Sequence, residues 1–132
     1  MRLLLGTHIW IWSALDPARI RERVAAELEN PSNQIWLSPI SVWETLTLAR
    51  KRRISLEPDP VTWVRHALRK KPLFREASFN HEVGVESHRV ELPHWDPADR
   101  ILAATALVHD LTLVTADERL LALESIALLS NR

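Results

Sequence analysis

The chain alternates short apolar runs with longer segments in which apolar residues recur every three or four positions. The run over residues 3–5 is too short for a helix and predicts a buried strand, whereas the spacing of Ile20, Val24 and Leu28 predicts an amphipathic helix. The same reasoning predicts strands over residues 3–5, 34–38 and 111–115, with further strands within 73–79 and over 126–129. Helices are predicted over residues 7–13, 17–29, 39–51, 61–69, 80–90 and 97–109.

The order of these elements predicts the fold. Strands alternate with helices along the chain, which indicates a parallel sheet with helices on both faces. A length of 132 residues fits one compact domain over residues 1–132. The sequence therefore predicts a single-domain, three-layer α/β fold, in which Thr7 caps the helix that follows the first strand.

Composition and charge restrict the function. The chain has no cysteine, which excludes disulfides and thiolate metal sites and fits a reducing cytoplasm. Lys and Arg together number 17, as do Asp and Glu, so any surface that attracts nucleic acid must be local. No apolar run reaches the roughly 18 residues that a membrane helix needs. We therefore expect a cytoplasmic protein without a membrane anchor.

Three carboxylates are predicted to meet at one edge of the sheet. Asp117 follows the strand over residues 111–115, Asp99 lies in the first turn of a buried helix, and Glu44 lies in the helix after the second strand. Ligand sites of open α/β sheets lie beyond the carboxyl ends of strands, so these acids are candidates for one site. Converging carboxylates repel each other unless a cation is present, and oxygen ligands suit Mg²⁺ or Mn²⁺. Such ions can activate water for attack on a phosphodiester.

Each acid also has a purely structural interpretation. Asp96 and Asp99 fit the start of a helix, with Asp96 as its N-cap. Asp117 can cap the short segment over residues 118–123, and Glu44 can be a solvated helix residue. The spacing alone leaves both interpretations open for each residue.

Four segments, in order along the chain, resemble the VapC toxins, a group of PIN-domain ribonucleases. Residues 3–8 resemble an opening strand that ends in Asp-Thr-His, and residues 41–44 resemble an S-x-W-E helix. Residues 94–100 are similar to an H-x-D-P-F-D-R segment, and residues 113–117 to an L-V-T-A-D strand end. Each match is short, and the ordered set carries the resemblance.

The resemblance implies a PIN-like fold and a Mg²⁺- or Mn²⁺-dependent endoribonuclease, the toxin of a bacterial toxin–antitoxin pair. It implies in-line attack of water on an RNA phosphodiester, inhibition by a cognate antitoxin, and a homodimer. By matching position, the implied catalytic metal ligands are Glu44, Asp99 and Asp117, with Asp96 as a further candidate and Thr7 and Thr115 in support.

Gly6 departs from the family pattern, which has its first catalytic Asp at this position. A glycine at a strand end has a structural explanation in a tight turn or a close backbone approach. The functional explanation is the loss of a metal ligand, which would silence a toxic enzyme. The resemblance then implies a strongly impaired enzyme, and we expect Gly6→Asp to change folding little, by about 0.5–1 kcal/mol.

Contacts to RNA and to the antitoxin have weaker candidates. The basic run Arg50, Lys51, Arg52 and Arg53 can bind RNA phosphates or form a solvated helix end. Trp95, beside the predicted site, is a candidate for stacking on an RNA base. Trp10, Trp12 and the helix over residues 42–49 are candidates for an apolar groove that binds the antitoxin.

Two other functions compete with this interpretation. A PIN-like module that binds RNA or antitoxin without cleavage is favoured by Gly6. A phosphohydrolase of the haloacid dehalogenase type needs D-x-D after the first strand, where this chain has Gly6, Thr7 and His8. A P-loop nucleotide site is excluded because the G-x-x-x-x-G-K sequence does not occur.

Overall fold

In this computed structural model, which describes residues 1–70 and 73–132, five strands form one parallel sheet. The strands are β1 (Arg2–Leu5), β2 (Gln34–Leu37), β3 (Arg75–Glu76), β4 (Thr112–Thr115) and β5 (Leu128–Ser130). The helices are α1 (Thr7–Leu15), α2 (Glu22–Glu29), α3 (Pro39–Arg50), α4 (Pro60–Arg69), α5 (His81–Arg89), α6 (Pro97–Val108) and α7 (Glu118–Leu121). None of the helices in these ranges is long and apolar enough to cross a membrane.

The strand order is β3-β2-β1-β4-β5, and every neighbouring pair is parallel. The chain builds the sheet outward from β1 in one direction and then returns to add β4 and β5 on the other side of β1. The strand order therefore reverses between β1 and β4, which is where a binding crevice forms in open α/β sheets. The predicted fold class is confirmed.

The central strand β1 separates two hydrophobic cores. Leu3 and Leu5 face one core, which contains Trp10, and Leu4 faces the other, which contains Leu102 of α6. The three leucines of β1 are at most 1% exposed. Burial on both faces explains why β1 is a continuous apolar run and does not alternate with polar residues.

Most predicted boundaries agree with the structure to within two residues, but the predicted role of Thr7 as a helix cap is wrong. Gly6 is the N-cap of α1 and makes no side-chain capping contact, and Thr7 is the first helical residue. The Thr7 hydroxyl instead lies 3.0 Å from Ser41 Oγ, in the buried contact between the first turns of α1 and α3. The Thr7 hydroxyl therefore takes part in a tertiary contact with α3 and does not cap α1.

The predicted continuous helix over residues 17–29 is also wrong. A 3₁₀ turn over Pro17–Arg19 is followed by two extended residues before α2 begins at Glu22. Asn131 explains the break, because its Oδ1 accepts a hydrogen bond from Arg21 N at 2.7 Å and its Nδ2 donates to Arg19 O at 2.9 Å. Asn131 is 5% exposed, and its bonds satisfy backbone groups that a helix would otherwise have paired.

The two edge strands of the sheet are short. β3 has only two residues, Arg75 and Glu76, and both are exposed. β5 has three residues, and its Ser130 O accepts a hydrogen bond from Arg23 Nη2 at 2.8 Å. Each edge therefore offers few free backbone groups.

The two glycines of the chain have different surroundings. Gly6 N donates to Val114 O at 2.8 Å, and a Cβ built at Gly6 would also lie 2.8 Å from that oxygen. Side chains do not tolerate such a contact with backbone, so β1 and β4 would have to separate slightly. At Gly84, within α5, the nearest atom to a new Cβ is Phe79 Cε1 at 3.9 Å, an ordinary contact. The close backbone approach corrects the expectation that Gly6→Asp would change folding little.

Alanine substitution at the two glycines is expected to have opposite effects on stability. Gly6→Ala should lower the free energy of unfolding by about 1–3 kcal/mol, the usual cost of overpacking. Gly84→Ala should raise it by about 0.5–1 kcal/mol, because alanine favours the helix and has room. Urea denaturation of both variants measures this, and equal effects of the two changes would contradict the close approach at Gly6.

Candidate metal centre

A cavity of about 390 Å³ opens at the carboxyl ends of β1 and β4, where the strand order reverses. Gly6 and Thr7, which directly follow β1, contribute to its wall, and Thr115 contributes from β4. All four acids singled out in the sequence line this cavity, namely Glu44, Asp96, Asp99 and Asp117. The fold thus gathers on one cavity carboxylates from three separate parts of the chain, at Glu44, at Asp96 and Asp99, and at Asp117.

Local structure positions each acid. Asp96 is the N-cap of α6, where its Oδ1 accepts from Asp99 N at 3.2 Å, and this places Asp99 in the first turn. Asp117 follows β4, and its backbone N donates to Thr115 Oγ1 at 3.1 Å. The capping interpretation is therefore correct for Asp96, and it is also correct for Asp117, which caps α7. Glu44 is half-buried in the cavity wall, so its interpretation as a solvated helix residue is wrong.

Two cationic or ionisable side chains contact the acids. His94 Nε2 lies 2.9 Å from Asp99 Oδ2. Arg119 Nη2 lies 3.1 Å from Asp117 Oδ2 and 3.7 Å from Asp99 Oδ2, so its guanidinium bridges the two carboxylates. Asp99 is therefore held from two sides, by an imidazole and by a guanidinium.

Burial raises the pKa of Glu44 and of Asp99 above their ordinary values. For Glu44, a hydrogen bond from the Thr7 hydroxyl offsets part of the effect, and the charges of Asp96 and Asp99 add to it. For Asp99, the hydrogen bond with His94 offsets part of the effect, and the charges of Asp96 and Asp117 add to it. These two carboxylates therefore resist ionisation in the metal-free cavity.

The pKa of Asp117 is shifted in the opposite direction. Partial burial acts to raise it, but hydrogen bonds from the Arg119 side chain and backbone outweigh burial and hold it below its ordinary value. Asp117 therefore stays ionised while its neighbours are pushed toward the neutral form.

Two arginines of the cavity, Arg119 and Arg132, were not predicted from the sequence. His8 also lines the cavity, and His94 contacts it through Asp99, as their positions beside the site in the sequence suggest. Arg119 had a local signal, because it follows the capping residue Asp117 by two positions. Arg132 is brought in only by the pairing of β5 with β4.

Of the weaker RNA and partner candidates, Trp12 lines the cavity, whereas residues 50–53, Trp10 and Trp95 do not. Residues 50–53 are exposed at the end of α3 and do not line the acidic cavity. Trp95 is 62% exposed, with the Arg100 guanidinium 4.0 Å from its ring centroid, and it lies beside Asp96 in the chain. Trp10 is 1% exposed in the core and cannot contact a partner, whereas Trp12 is half-buried on the cavity wall.

The donor chemistry fits a hard divalent cation. Four carboxylates face one cavity, and burial and mutual repulsion raise the pKa of Glu44 and Asp99, which a cation would relieve. Within residues 1–70 and 73–132, no three His, Cys, Asp or Glu side chains are already close enough to hold an ion. The carboxylates would therefore have to move closer together on binding.

Comparison with known proteins gives concordant results. The sequence matches the PIN domain family over residues 3–125. Ribonuclease VapC22 of Mycobacterium tuberculosis is 30% identical over 125 residues, which cover 89% of this chain and 88% of the relative.

Solved structures share the fold over nearly the whole chain. VapBC2 from Rickettsia felis, bound to a DNA fragment from its promoter, matches with a TM-score of 0.74 at 18% identity, covering 98% of each chain. A toxin-antitoxin complex from Klebsiella pneumoniae matches with a TM-score of 0.67 at 22% identity, also covering 98% of each chain. At this identity the matches show the fold alone.

The raised pKa of Glu44 predicts a pH-dependent effect of Glu44→Gln. Ionisation of a carboxyl whose pKa is raised by folding destabilises the folded state as the pH rises through the folded pKa. In EDTA at pH 7–8, Glu44→Gln should therefore have a higher melting temperature than the parent, and the difference should vanish below about pH 4, where both side chains are neutral. Glu124→Gln, at an exposed carboxyl outside this cavity, is the control. A difference independent of pH would contradict the role of burial.

Proposed function

The chain belongs to the PIN-domain family, and on this premise we propose that it is an endoribonuclease of the VapC toxin type that depends on Mg²⁺ or Mn²⁺. The observation that supports the proposal most strongly is the gathering of Glu44, Asp96, Asp99 and Asp117 on one cavity at the switch point of the sheet. Such a protein would act in the cytoplasm, where its RNA substrates are found.

The proposed metal ligands are Glu44, Asp99 and Asp117, with Asp96 as a further candidate in addition to its capping role. A bound divalent ion would supply activation of water and stabilisation of the charge that develops on the phosphodiester. Thr115 orients Asp117 through the hydrogen bond from the Asp117 amide. Thr7 supports Glu44 through its hydroxyl, since this contact opposes the effect of burial on the Glu44 pKa.

We place Trp95 and the basic residues 50–53 on the path by which RNA would reach this cavity. Trp95 presents an exposed ring beside Asp96 and is held by its contact with Arg100, which suits stacking on a base. The basic residues 50–53 are exposed and available to phosphates at a greater distance from the acids.

Gly6 lines the cavity beside Thr115, and this supports the proposal that the chain is impaired by the absence of a carboxylate there. The alternative function is a non-catalytic PIN-fold module that binds RNA or an antitoxin. The close approach of Gly6 to Val114 O favours this alternative, because the strands are spaced for a residue without a side chain.

The test is RNA cleavage with Mn²⁺ by the present chain and by Gly6→Asp, on the same structured RNA with and without EDTA. Loss of a residue that binds the metal directly should lower the cleavage rate by more than the roughly 100-fold caused by loss of a residue that only supports the ligands. We therefore expect Gly6→Asp to cleave more than about 100-fold faster, despite some loss of stability. Gly6→Ala, which adds the Cβ without the carboxylate, should give no gain, and Asp99→Asn in the Gly6→Asp background should abolish it.

Each alternative result has a definite meaning. If the present chain cleaves as fast as Gly6→Asp, the assignment of the ligands is wrong. If neither cleaves RNA but both bind it, the non-catalytic module is the better description.

We also propose that a cognate antitoxin inhibits the protein and that the chain forms a homodimer. The fold is shared with a toxin-antitoxin complex from Klebsiella pneumoniae, which motivates a protein partner here. Trp12 is the best placed of the predicted partner residues. It is half-buried on the cavity wall, and the Arg19 guanidinium lies 4.1 Å from its ring centroid.

Trp12→Ala is expected to weaken antitoxin binding by about 2 kcal/mol or more, since tryptophan is enriched among residues that dominate binding energy. The affinity is measured by calorimetry with the cognate antitoxin. Trp95→Ala is the matched control, because Trp95 is a tryptophan at the surface that does not line the cavity. Unchanged affinity of Trp12→Ala would remove this residue from the interface.

A further inference from the structure

Arg119 gives the acidic cavity a cation of its own. Its Nη2 bridges Asp117 Oδ2 at 3.1 Å and Asp99 Oδ2 at 3.7 Å, and its Nε lies 3.4 Å from Asp117 Oδ1. The backbone N of Arg119 also donates to Asp117 Oδ1 at 2.8 Å. One residue therefore contacts both oxygens of Asp117 and one oxygen of Asp99.

These contacts use oxygens that an ion would need. Asp99 Oδ2 faces both His94 and Arg119, and both Asp117 oxygens face Arg119. A guanidinium and a divalent ion are both cations, so they repel each other when they share the same carboxylates. Arg119 in its present position therefore competes with an ion for Asp99 Oδ2 and for both oxygens of Asp117.

The Arg119 side chain is free to leave this position. It is 51% exposed, and one of its two carboxylate contacts is long, at 3.7 Å. Ion pairs of this exposure contribute little to stability, because water solvates both partners once they separate. A divalent ion, with twice the charge and direct coordination, is the stronger partner for two carboxylates.

We propose that Arg119 is a built-in counter-cation that holds Asp99 and Asp117 in the metal-free protein and is displaced when a divalent ion binds. The proposal rests on the proposed metal site. It adds that the Arg119 guanidinium competes with the metal ion for the carboxylates of Asp99 and Asp117. Arg119 thereby lowers the apparent metal affinity and stabilises the acid pair while no ion is present.

In the experiment, the full chain and its Arg119→Gln variant are titrated with Mn²⁺ alone. Binding is measured by calorimetry and by the electron paramagnetic resonance signal of Mn²⁺. Removal of the competing cation should tighten Mn²⁺ binding by roughly threefold to fivefold, the upper part of the range expected for loss of a partly exposed ion pair. In EDTA, Arg119→Gln should melt at a lower temperature than the parent. Its rise in melting temperature on addition of Mn²⁺ should be larger than that of the parent.

Two variants separate direct competition from a general change in charge. Arg132→Gln removes a positive charge from the same cavity, but Arg132 pairs with Glu118 at 2.7 Å and makes no ion pair with Asp99 or Asp117. Its Mn²⁺ affinity should stay within about twofold of the parent. Arg119→Lys keeps the charge without the fork of donors, and its affinity should lie between those of the parent and Arg119→Gln.

The outcomes distinguish this inference from the metal site itself. Equal or weaker Mn²⁺ binding by Arg119→Gln would overturn the displacement of Arg119 and leave the metal site standing. An equal gain in Arg132→Gln would overturn direct competition in favour of overall charge. Absence of Mn²⁺ binding by every variant would remove the proposed metal site and this inference together.

Discussion

The parallel pairing of β1 with β4 is the constraint on which the rest of the site depends. These strands are distant in the chain, and their last shared hydrogen bond runs from Gly6 N to Val114 O at 2.8 Å. Both strands end at the same edge, so the residues that follow them, Thr7 and Asp117, come to line one cavity. The approach at Gly6 is so close that a side chain there would require β1 and β4 to separate slightly. The contact between the two backbones at the cavity wall therefore leaves little room for a side chain.

Much of this arrangement could be predicted from the sequence because its signals are local. A continuous apolar run predicts a buried strand, and an acid directly after such a strand is placed at the sheet edge, as Asp117 is. The start of α6 is marked by an Asp followed by Pro, which fixes Asp96 at the cap and Asp99 in the first turn. These acids can meet because the strands are parallel and end at the same edge of the sheet. The alternation of strands and helices predicts such a parallel sheet.

The remainder depends on contacts between distant segments, for which the sequence carries no local signal. Asn131, near the C-terminus, binds the backbone before α2 and so interrupts the predicted helix. The Thr7 hydroxyl contacts Ser41 and does not cap a helix. The raised pKa of Asp99 also follows from its burial in the folded cavity, whereas the lowered pKa of Asp117 comes from Arg119, which is only two residues away in the chain. Two aspartates in similar sequence settings thus acquire different proton affinities.

The short edges of the sheet limit how another protein can attach to this one. β3 offers two charged residues, Arg75 and Glu76, and Arg23 occupies the Ser130 carbonyl on β5. A partner that extends the sheet would need a row of free backbone donors and acceptors, which neither edge supplies. Charged, abbreviated edges of this kind also protect a protein from edge-to-edge aggregation. An inhibitor of this chain should therefore bind through side chains on the helices and the cavity rim, and its own bound segments are expected to be helical or irregular rather than an added strand.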